Sequence, residues 1–359
     1  MTLVKRVWQD STVFDTLASA WEALVAQCPF PTPFMTPAWH AVWWRHFPEG
    51  ELHVVGWFEE ERLVGLASFY IADQKVQCCL RPVGGVEVAD YLDILALPGY
   101  EERIGVALLE HLLGPDAPDW EEVFLVNLPE HTATHRILPQ LARERGLWAW
   151  VQVEDVCPFI PLPGTFDEYL YMLNKKQRHE VRRKRRRLME AAREVQYHVV
   201  SPEEDLEQAM DVFVALHRRS DPQKAAFMTA EMEAFFRDIA RLAREREWLH
   251  LAFLEVDGQA VATLLCFDYR ERRMVYNSGF DPETAARLAP GVNLVVMDIE
   301  NAIQAGLKVF DFLQGDEEYK FRLGARPTYV YRVRIRREVP PVEETTHVGS
   351  AQTGSPPAG

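Results

Sequence analysis

Residues 249–269, LHLAFLEVDGQAVATLLCFDY, predict a β-hairpin. Apolar residues dominate the two runs 249–256 and 259–269, and the Asp257-Gly258 pair between them is typical of a two-residue hairpin turn. A hairpin buries its apolar face only against further strands or helices. The neighbouring segments therefore decide what this hairpin belongs to.

A second hairpin of the same layout lies in the first half of the chain. Its strands, at 52–58 and 62–72, flank the charged turn Glu59–Glu61, and residues 63–67 (LVGLA) correspond to residues 260–264 (AVATL). In each half, helices come first, then the hairpin, and then alternating strands and helices. The predicted segments are helices near 14–25, 37–47, 101–113, 131–145, 166–190, 203–219, 229–246, 291–305 and 316–323, and strands at 77–82, 91–96, 122–127, 148–153, 273–280, 308–313 and 327–336.

This repetition predicts an α/β (α+β) protein duplicated in tandem and fused near residue 157. The length of 359 residues agrees, because one hydrophobic core rarely serves so long a chain. We expect a first domain over 1–156, a second over 157–337, and a disordered tail over 338–359, a segment rich in Pro, Ser, Thr and Gly.

The charge is distributed unevenly. The chain carries a net charge of -15, yet residues 175–187 (KKQRHEVRRKRRR) hold nine Lys/Arg and one Glu, a local +8 that leaves -23 on the remainder. An acidic body with one basic helix favours contact with a single anionic ligand over general nucleic-acid coating. The stripe Lys175, Arg178, Arg182 and Arg185 is the candidate surface, and a solvated face is the alternative.

Several classes of protein are disfavoured. No apolar run is long enough for a membrane span and the amino terminus shows no targeting segment, so we expect a cytoplasmic location. Five cysteines without regular spacing favour neither disulfides nor zinc. The phosphate-binding loop, dinucleotide, serine-hydrolase and zinc-protease signatures are missing. His131 and His135 beside Glu130 lack an evident third ligand, so we predict no metal site.

The most informative region runs from Tyr276 to Gly324. A strand ending in Asn277-Ser278-Gly279 is followed by Arg287 and then by a helix that starts at Pro290-Gly291. The first amides of that helix, at Gly291, Val292 and Asn293, face its positive dipole end and could hold a pyrophosphate. Pro290-Gly291 is equally typical of a plain helix start.

The next strand leads into Asp311-Phe312, Gly315 and Tyr319-Lys320, and this DF-x-x-G-x-x-x-YK pattern resembles the GNAT-superfamily acyltransferase domain of the CelD type, associated with cellulose and exopolysaccharide synthesis. Leu173–Arg178 and Arg182-Arg183 match the basic helix that opens such domains. The group is similar in turn to Fem-type aminoacyltransferases, which also fuse two GNAT-like domains. The usual acyl-CoA loop is reduced here to Arg287 with Pro290-Gly291.

The resemblance implies two tandem GNAT-like domains, each a mixed, mostly antiparallel sheet flanked by helices. The donor would be acyl-CoA (acetyl-CoA), without a metal, and the acceptor an amine or hydroxyl of a cell-envelope or polysaccharide precursor. Two alternatives stay open: an aminoacyl-tRNA donor, and a catalytically inactive module whose basic helix anchors an acidic partner. Peripheral contact with an anionic surface is a further possibility for that helix.

The resemblance also implies roles for individual residues. The catalytic candidates are Asp311, Tyr319 as a proton source for the leaving thiolate, and Lys320 as a stabiliser of an oxyanion or phosphate. The cofactor-binding candidates are Asn277, Ser278, Gly279, Arg287, Gly291, Val292 and Asn293, and the substrate-binding candidates are Arg178, Arg182, Tyr276, Gln314 and Gly315. Asp311 could instead cap the following turn, and Tyr319 and Lys320 could be structural. The first half is expected to be a degenerate partner that contributes Asp90 and Asp93.

Overall fold

The computed structural model describes residues 2–74, 77–85 and 87–338. The predicted tail lies outside these ranges apart from its first residue. The helices are α1 (Val13–Thr16), α2 (Ala18–Val25), α3 (Pro37–His46), α4 (Glu101–Leu113), α5 (Thr134–Glu144), α6 (Phe166–Met172), α7 (Lys175–Ala191), α8 (Leu206–Ser220), α9 (Pro222–Phe227), α10 (Ala230–Glu245), α11 (Pro282–Leu288), α12 (Pro290–Gln304) and α13 (Glu318–Arg322). The strands are β1 (Val4–Trp8), β2 (Glu51–Glu59), β3 (Arg62–Gln74), β4 (Gln77–Pro82), β5 (Leu95–Ala96), β6 (Glu122–Pro129), β7 (Trp148–Val156), β8 (Phe159–Pro161), β9 (Val195–Val199), β10 (Leu249–Val256), β11 (Gln259–Tyr269), β12 (Arg272–Phe280), β13 (Val309–Asp311) and β14 (Tyr329–Arg336).

The strands form two mixed sheets flanked by helices. The first sheet has the order β1-β2-β3-β4-β6-β14-β7, with β5 beside β3, and the second has the order β8-β13-β12-β11-β10-β9. Neighbours are antiparallel except for the parallel pairs β4–β6 and β12–β13. The predicted fold class, an α/β protein with two mixed, mostly antiparallel sheets flanked by helices, is confirmed.

The two hairpins show why the sequence repeats. β2–β3 and β10–β11 are both antiparallel pairs with an irregularity next to the turn, at Trp57/Phe58 and at Leu254/Glu255. In the second hairpin the turn residues Asp257 and Gly258 have φ values of 51° and 79°. An Asp-Gly pair accepts these positive values, and their twist matches that of the flanking strands.

The last strand does not stay with the second sheet. β14 lies in the first sheet, between β6 and β7, whereas β8 occupies the edge position beside β13 in the second sheet. A buried ion cluster holds β14 in place, because the Glu122 carboxylate on β6 pairs with Arg334 and Arg336 on β14. The domain boundaries at residues 156 and 337 stay a prediction, and the first sheet takes β14 from within the predicted second domain.

Other predicted segments are corrected in detail. The helix expected over 166–190 is two helices, because the chain is extended at Leu173 and Asn174, and Asn174 forms a capping box with Gln177. The helix expected at 203 begins at Leu206, where the Asp205 carboxylate accepts from two amides of the first turn. Of the strand expected over 91–96, only β5 forms. The helix expected near 14–25 is also two helices, α1 and α2. The sequence does not predict β1, β8, β9, α9 or α11.

The two halves share a hydrophobic core. Trp39 of α3 contacts Phe235, Phe267 and Tyr276 of the second half, with ring centroids 5.7–5.9 Å apart. A separate cluster fills the other face of the second sheet beneath α7 and α12. Rings buried at the contact between halves give a larger hydrophobic gain than an ordinary polar domain interface.

Candidate active site

The second sheet opens where its two parallel strands separate. β12 pairs with β13 only over Arg272–Met274, and β12 then continues alone on that side to Phe280. The ladder to β11 is also irregular here: Leu265 pairs with Asn277 and Cys266 with Val275, which leaves Tyr276 as the extra residue of a β-bulge. The bulge and the separation leave backbone groups of β12 without a neighbouring strand on one side.

A cleft lies beside this opening. It is lined by Thr263, Leu264, Ser278, Gly279, Phe280, Gly291, Val292, Val295 and Tyr319. Five residues predicted from the sequence thus meet in one place: Ser278, Gly279, Gly291, Val292 and Tyr319.

The first turn of α12 forms one wall of the cleft. Pro290 occupies the first helical position, after Ala289 in the left-handed conformation with a φ of 47°. Asn293 closes the helix start rather than facing the cleft, since its backbone amide and its side chain both donate to Ala289 O, at 3.1 and 3.3 Å. Gly291 and Val292 lie on the cleft at the positive end of a 15-residue helix, a location suited to an anion.

Tyr319 forms another wall. Its half-buried ring packs against Phe312, with centroids 6.1 Å apart. Its hydroxyl has no hydrogen-bond partner within residues 2–74, 77–85 and 87–338. Burial, together with the Glu317 carboxylate, raises the pKa of Tyr319 well above its usual range. The phenol therefore stays protonated at neutral pH and can donate a proton into the cleft.

Asp311 is buried away from the cleft. Its carboxylate accepts hydrogen bonds from the Tyr91 hydroxyl at 3.1 Å, from Arg272 at 2.8 Å and from the Leu313 amide at 2.9 Å. Tyr91 comes from the first half, so Asp311 links the two halves. This geometry corresponds to the turn-capping alternative that the sequence left open.

Lys320 is equally engaged. Its ammonium donates to Gln314 O at 2.8 Å and Gly315 O at 3.1 Å, and it pairs with Glu317 at 2.8 Å. Gly315 has a φ of 114°, and a Cβ there would lie 2.4 Å from the Glu317 carboxylate. Lys320 thus stabilises the turn that positions Tyr319 on the following helix.

The first half reaches this turn through Asp90. The Asp90 carboxylate accepts from the Gln314 amide at 3.1 Å, and the Gln314 side chain donates to Asp90 O at 3.0 Å. Burial raises the pKa of Asp90 to about 6, although the hydrogen bond from Gln314 and the Lys320 ammonium oppose the rise. Asp93 instead lines a separate cavity in the first half, where burial raises its pKa to about 6.

The remaining predicted residues lie elsewhere. The Tyr276 hydroxyl donates to Val88 O at 2.9 Å, and Asn277 accepts from the Ser278 amide at 2.9 Å. Arg287 is exposed on α11. On α7, Arg178 is half-buried with its guanidinium over the Tyr171 ring at 5.3 Å, whereas Arg182 is exposed. Arg185, from the predicted basic stripe, pairs with Glu300 at 2.9 Å.

The sequence missed Lys224. Its ammonium donates to Ser278 O at 2.6 Å and to Ser278 Oγ at 3.2 Å, on the open edge of β12. Burial lowers the pKa of Lys224, and the carboxylates of Glu317 and Asp221 counteract this. The available signal was Asp221-Pro222, a cap residue followed by proline, which begins the short helix α9.

The described part of the chain contains neither a cluster of metal ligands nor a membrane-spanning helix. Over residues 2–74, 77–85 and 87–338, no group of three or more His, Cys, Asp or Glu side chains is arranged to hold a metal ion. Within the same ranges, no helix has the length and apolar composition needed to cross a bilayer.

The chain is similar to known acetyltransferase domains and to solved structures. Residues 175–321 match the family model of the acetyltransferase (GNAT) domain. FemX superposes with a TM-score of 0.63 at 10% identity, covering 92% of this chain and 97% of its own. A conserved protein of unknown function from Bacteroides thetaiotaomicron superposes with a TM-score of 0.57 at 12% identity, covering 89% and 97%. At this identity such likeness shows the fold, and no curated protein matches the chain.

The matched region begins at α7 and includes the opened sheet, the start of α12 and Tyr319. The prediction of a GNAT-type acetyltransferase is therefore confirmed for residues 175–321, the part of the chain that matches the acetyltransferase (GNAT) domain.

Proposed function

We propose that the protein transfers an acyl group from an acyl-CoA to an amine or hydroxyl of a cell-envelope or polysaccharide precursor. One observation carries the proposal: the start of α12 and Tyr319 line the same cleft, beside the point where β12 and β13 separate. A helix amino terminus suits the phosphates of a donor, and a protonated phenol suits its leaving group.

The donor would lie along the open edge of β12 with its pyrophosphate at Gly291 and Val292. The basic helix α7 packs against both α11 and α12, so it lies next to the helix whose first turn would hold the phosphates. Arg287 on α11 and Arg178 on α7 are the candidates that the sequence offers for the remaining phosphate charge. Several cations near a helix terminus strengthen anion binding beyond the amides alone.

In this transfer the acceptor itself is the nucleophile, so the protein has to supply a proton source and not a nucleophile. The acceptor nitrogen or oxygen attacks the thioester carbonyl carbon, negative charge develops on the carbonyl oxygen, and the C–S bond then breaks. The Tyr319 hydroxyl gives its proton to the departing sulfur, and the proton lost by the acceptor returns through solvent to the phenolate. Lys224 donates to the Ser278 carbonyl and acts as a positioning residue for this wall of the cleft.

The roles of Asp311 and Lys320 in this proposal are indirect. Both hold the turn from Phe312 to Glu317, Asp311 from the strand side and Lys320 from the helix side. Gln314 and Gly315 lie in that turn, and we place the acceptor there. The assignment of a cell-envelope or polysaccharide acceptor rests on the CelD-type pattern of residues 311–320.

Calorimetry of the full chain with coenzyme A, acetyl-CoA and tRNA in parallel tests the donor. We expect both coenzyme forms to bind and Gly291→Asp to weaken binding at least tenfold, because it places a carboxylate beside the phosphates. The matched control, Gln304→Glu, adds the same charge at the exposed far end of α12 and should bind normally.

Binding of tRNA alone would instead favour the aminoacyl-tRNA donor of the Fem type. Binding of none of the three ligands by a folded protein would contradict the donor assignment and favour a module without this activity.

A further inference from the structure

The outer face of α7 is a strongly basic surface. Its exposed cations are Lys175, Lys176, Arg182, Arg183, Arg186 and Arg187. Two of them have partners on the same helix, since Arg183 pairs with Glu180 at 2.8 Å and Arg186 with Glu190 at 3.8 Å. For the other four, no acidic partner lies within 4.0 Å in the part of the chain that the structure describes.

Exposed apolar side chains lie at both ends of this basic face. Tyr171 is 74% exposed, Met172 46% and Met189 45%. Met189 follows Arg182 by seven residues, two turns of helix, so it lies on the same face. Tyr171 contacts the Arg178 guanidinium, which fixes its ring beside the first turn of α7. Large apolar groups beside clustered cations are typical of a surface that meets both charge and hydrocarbon.

The shape of this face distinguishes between anionic partners. A single-stranded nucleic acid is usually held in a groove with cations on several walls and aromatic rings for stacking. The face of α7 is one convex helix of 17 residues, about 25 Å long, whose exposed rings are the His179 imidazole and, at its end, Tyr171. The rest of the chain outside residues 175–187 carries -23, which would repel a polyanion that bends around the protein.

A flat bilayer would contact the outer face of α7 and little of the acidic remainder of the protein. We propose that the outer face of α7 binds the surface of a lipid bilayer that contains anionic lipids, with its cations at the headgroups and Tyr171, Met172 and Met189 at the level of the glycerol backbone. The contact uses residues outside the cleft lined by Gly291 and Tyr319, so it does not depend on the proposed acyl transfer.

Flotation of the full chain with vesicles tests the proposal. We expect binding to phosphatidylcholine vesicles that contain phosphatidylglycerol, little binding to phosphatidylcholine alone, and release as salt rises. Each cation at an anionic surface contributes roughly a factor of five in partitioning. The variant K175Q/K176Q/R182Q/R187Q should therefore lose about a hundredfold or more. Replacing Tyr171 and Met172 with serine should lose about tenfold, through the apolar contribution.

A matched control separates a local surface from general charge. Arg136, Arg270, Lys308 and Arg326 are exposed cations on other parts of the chain and have no ion pair with any residue that the structure describes. R136Q/R270Q/K308Q/R326Q removes the same charge. This control should bind vesicles like the parent. An equal loss in both quadruple variants, or no binding of the parent to anionic vesicles at low salt, would overturn the proposal.

Binding of tRNA in place of vesicles, lost in the α7 variant, would also overturn the proposal and assign the face to nucleic acid. Circular dichroism of each variant shows whether it is folded. Acetyl-CoA calorimetry on the same samples reports the cleft separately, so the two proposals fail independently.

Discussion

Gly279 and Gly291 make a paired test of what each cleft glycine does. The sequence assigns both to cofactor binding, but the structure gives them different surroundings. A Cβ at Gly279 would lie 2.4 Å from the His217 backbone nitrogen and 2.6 Å from the Leu216 carbonyl carbon. A Cβ at Gly291 would meet only the Phe280 ring, at 3.6 Å, an ordinary contact. Gly279 is therefore required by the close approach of α8 to β12.

The expected cost follows from these distances. For Gly279→Ala, α8 must move by about 1 Å to restore ordinary contact, and inserting one methyl group into a packed site typically costs about 1–3 kcal/mol. The clashing atoms are backbone and cannot rotate away, so we expect a loss near 3 kcal/mol. Gly291→Ala lies in the first turn of a helix, where alanine is favoured, and we expect no loss or a gain of up to about 1 kcal/mol.

Urea unfolding followed by circular dichroism measures the difference. The midpoint for Gly279→Ala should fall clearly below that of the parent, and the midpoint for Gly291→Ala should equal or exceed it. Free energies of unfolding that agree within about 0.5 kcal/mol for all three proteins would refute the packing argument. Gly279 would then be free to serve the donor, as the sequence indicates.

Three further predictions use other parts of the molecule. Tyr319→Phe should lower kcat for acyl transfer about ten- to a thousandfold with unchanged affinity for acetyl-CoA, and a parental rate would place the proton source elsewhere. Arg273→Met should lower the free energy of unfolding by about 3–5 kcal/mol in urea titrations, because it removes the guanidinium 2.8 Å from the fully buried Asp298 carboxylate. An unchanged free energy of unfolding would show that this carboxylate does not need the guanidinium. Burial lowers the pKa of His53 and of His111 from 6.5 to about 4. Between about pH 6.5 and about pH 4 only the unfolded chain takes up these two protons, so the free energy of unfolding should fall as the pH drops through this range. If the double variant His53→Gln/His111→Gln shows the same dependence on pH, these two residues are not its cause.

Much of the fold follows from local sequence. The hairpin strands are recognisable because apolar runs surround a turn pair, Asp257-Gly258, that accepts positive φ values. Thr36 likewise caps α3 as the Thr-Pro pair predicts, with its hydroxyl accepting from the Trp39 amide at 3.2 Å. Such signals depend only on residues that are close together in the chain, so they can be recognised in a single sequence.

The placement of β14 could not be predicted in this way. Its sequence, YVYRVRIR, alternates apolar and basic residues and correctly predicts a strand, but alternation does not identify the partner. The partner is set by Glu122, more than 200 residues earlier, whose buried carboxylate pairs with Arg334 and Arg336. Pairing between residues so far apart in the chain depends on the tertiary structure, so the local sequence pattern does not predict it.

The candidate site likewise has a part that the sequence predicts and a part that it does not. Ser278, Gly291 and Val292 meet because strand ends and helix starts lie at one edge of a sheet, which the order of elements already implies. Asp311 and Lys320 were assigned from motif chemistry, whereas their positions are fixed by side chains and carbonyls that they bind. A motif shows which residues lie near a site, and it does not distinguish those that line the cleft from those that support it.

The first half explains why a duplicated fold offers a single candidate donor cleft. β4 and β6 pair at Cys79–Glu122 and Leu80–Val123, the counterpart of the β12–β13 opening. Beyond that point the chain's own segment 88–92 lies against β6: the Leu92 amide donates to Asn127 O at 3.0 Å, and the Asn127 side chain donates to Ala89 O at 2.7 Å. The first turn of α4 also carries two glutamates, Glu101 and Glu102, which oppose an anion there.

The segment that fills the first opening also supports the second. Asp90 binds the Gln314 amide, and the adjacent Tyr91 binds the Asp311 carboxylate, so two consecutive residues hold both ends of the turn before Tyr319. Filling the first opening therefore supplied contacts that the second half needs. The stability of the Tyr319 turn then depends on a segment nearly 230 residues earlier, which is why separating the halves should cost the second domain its site as well as its shared core.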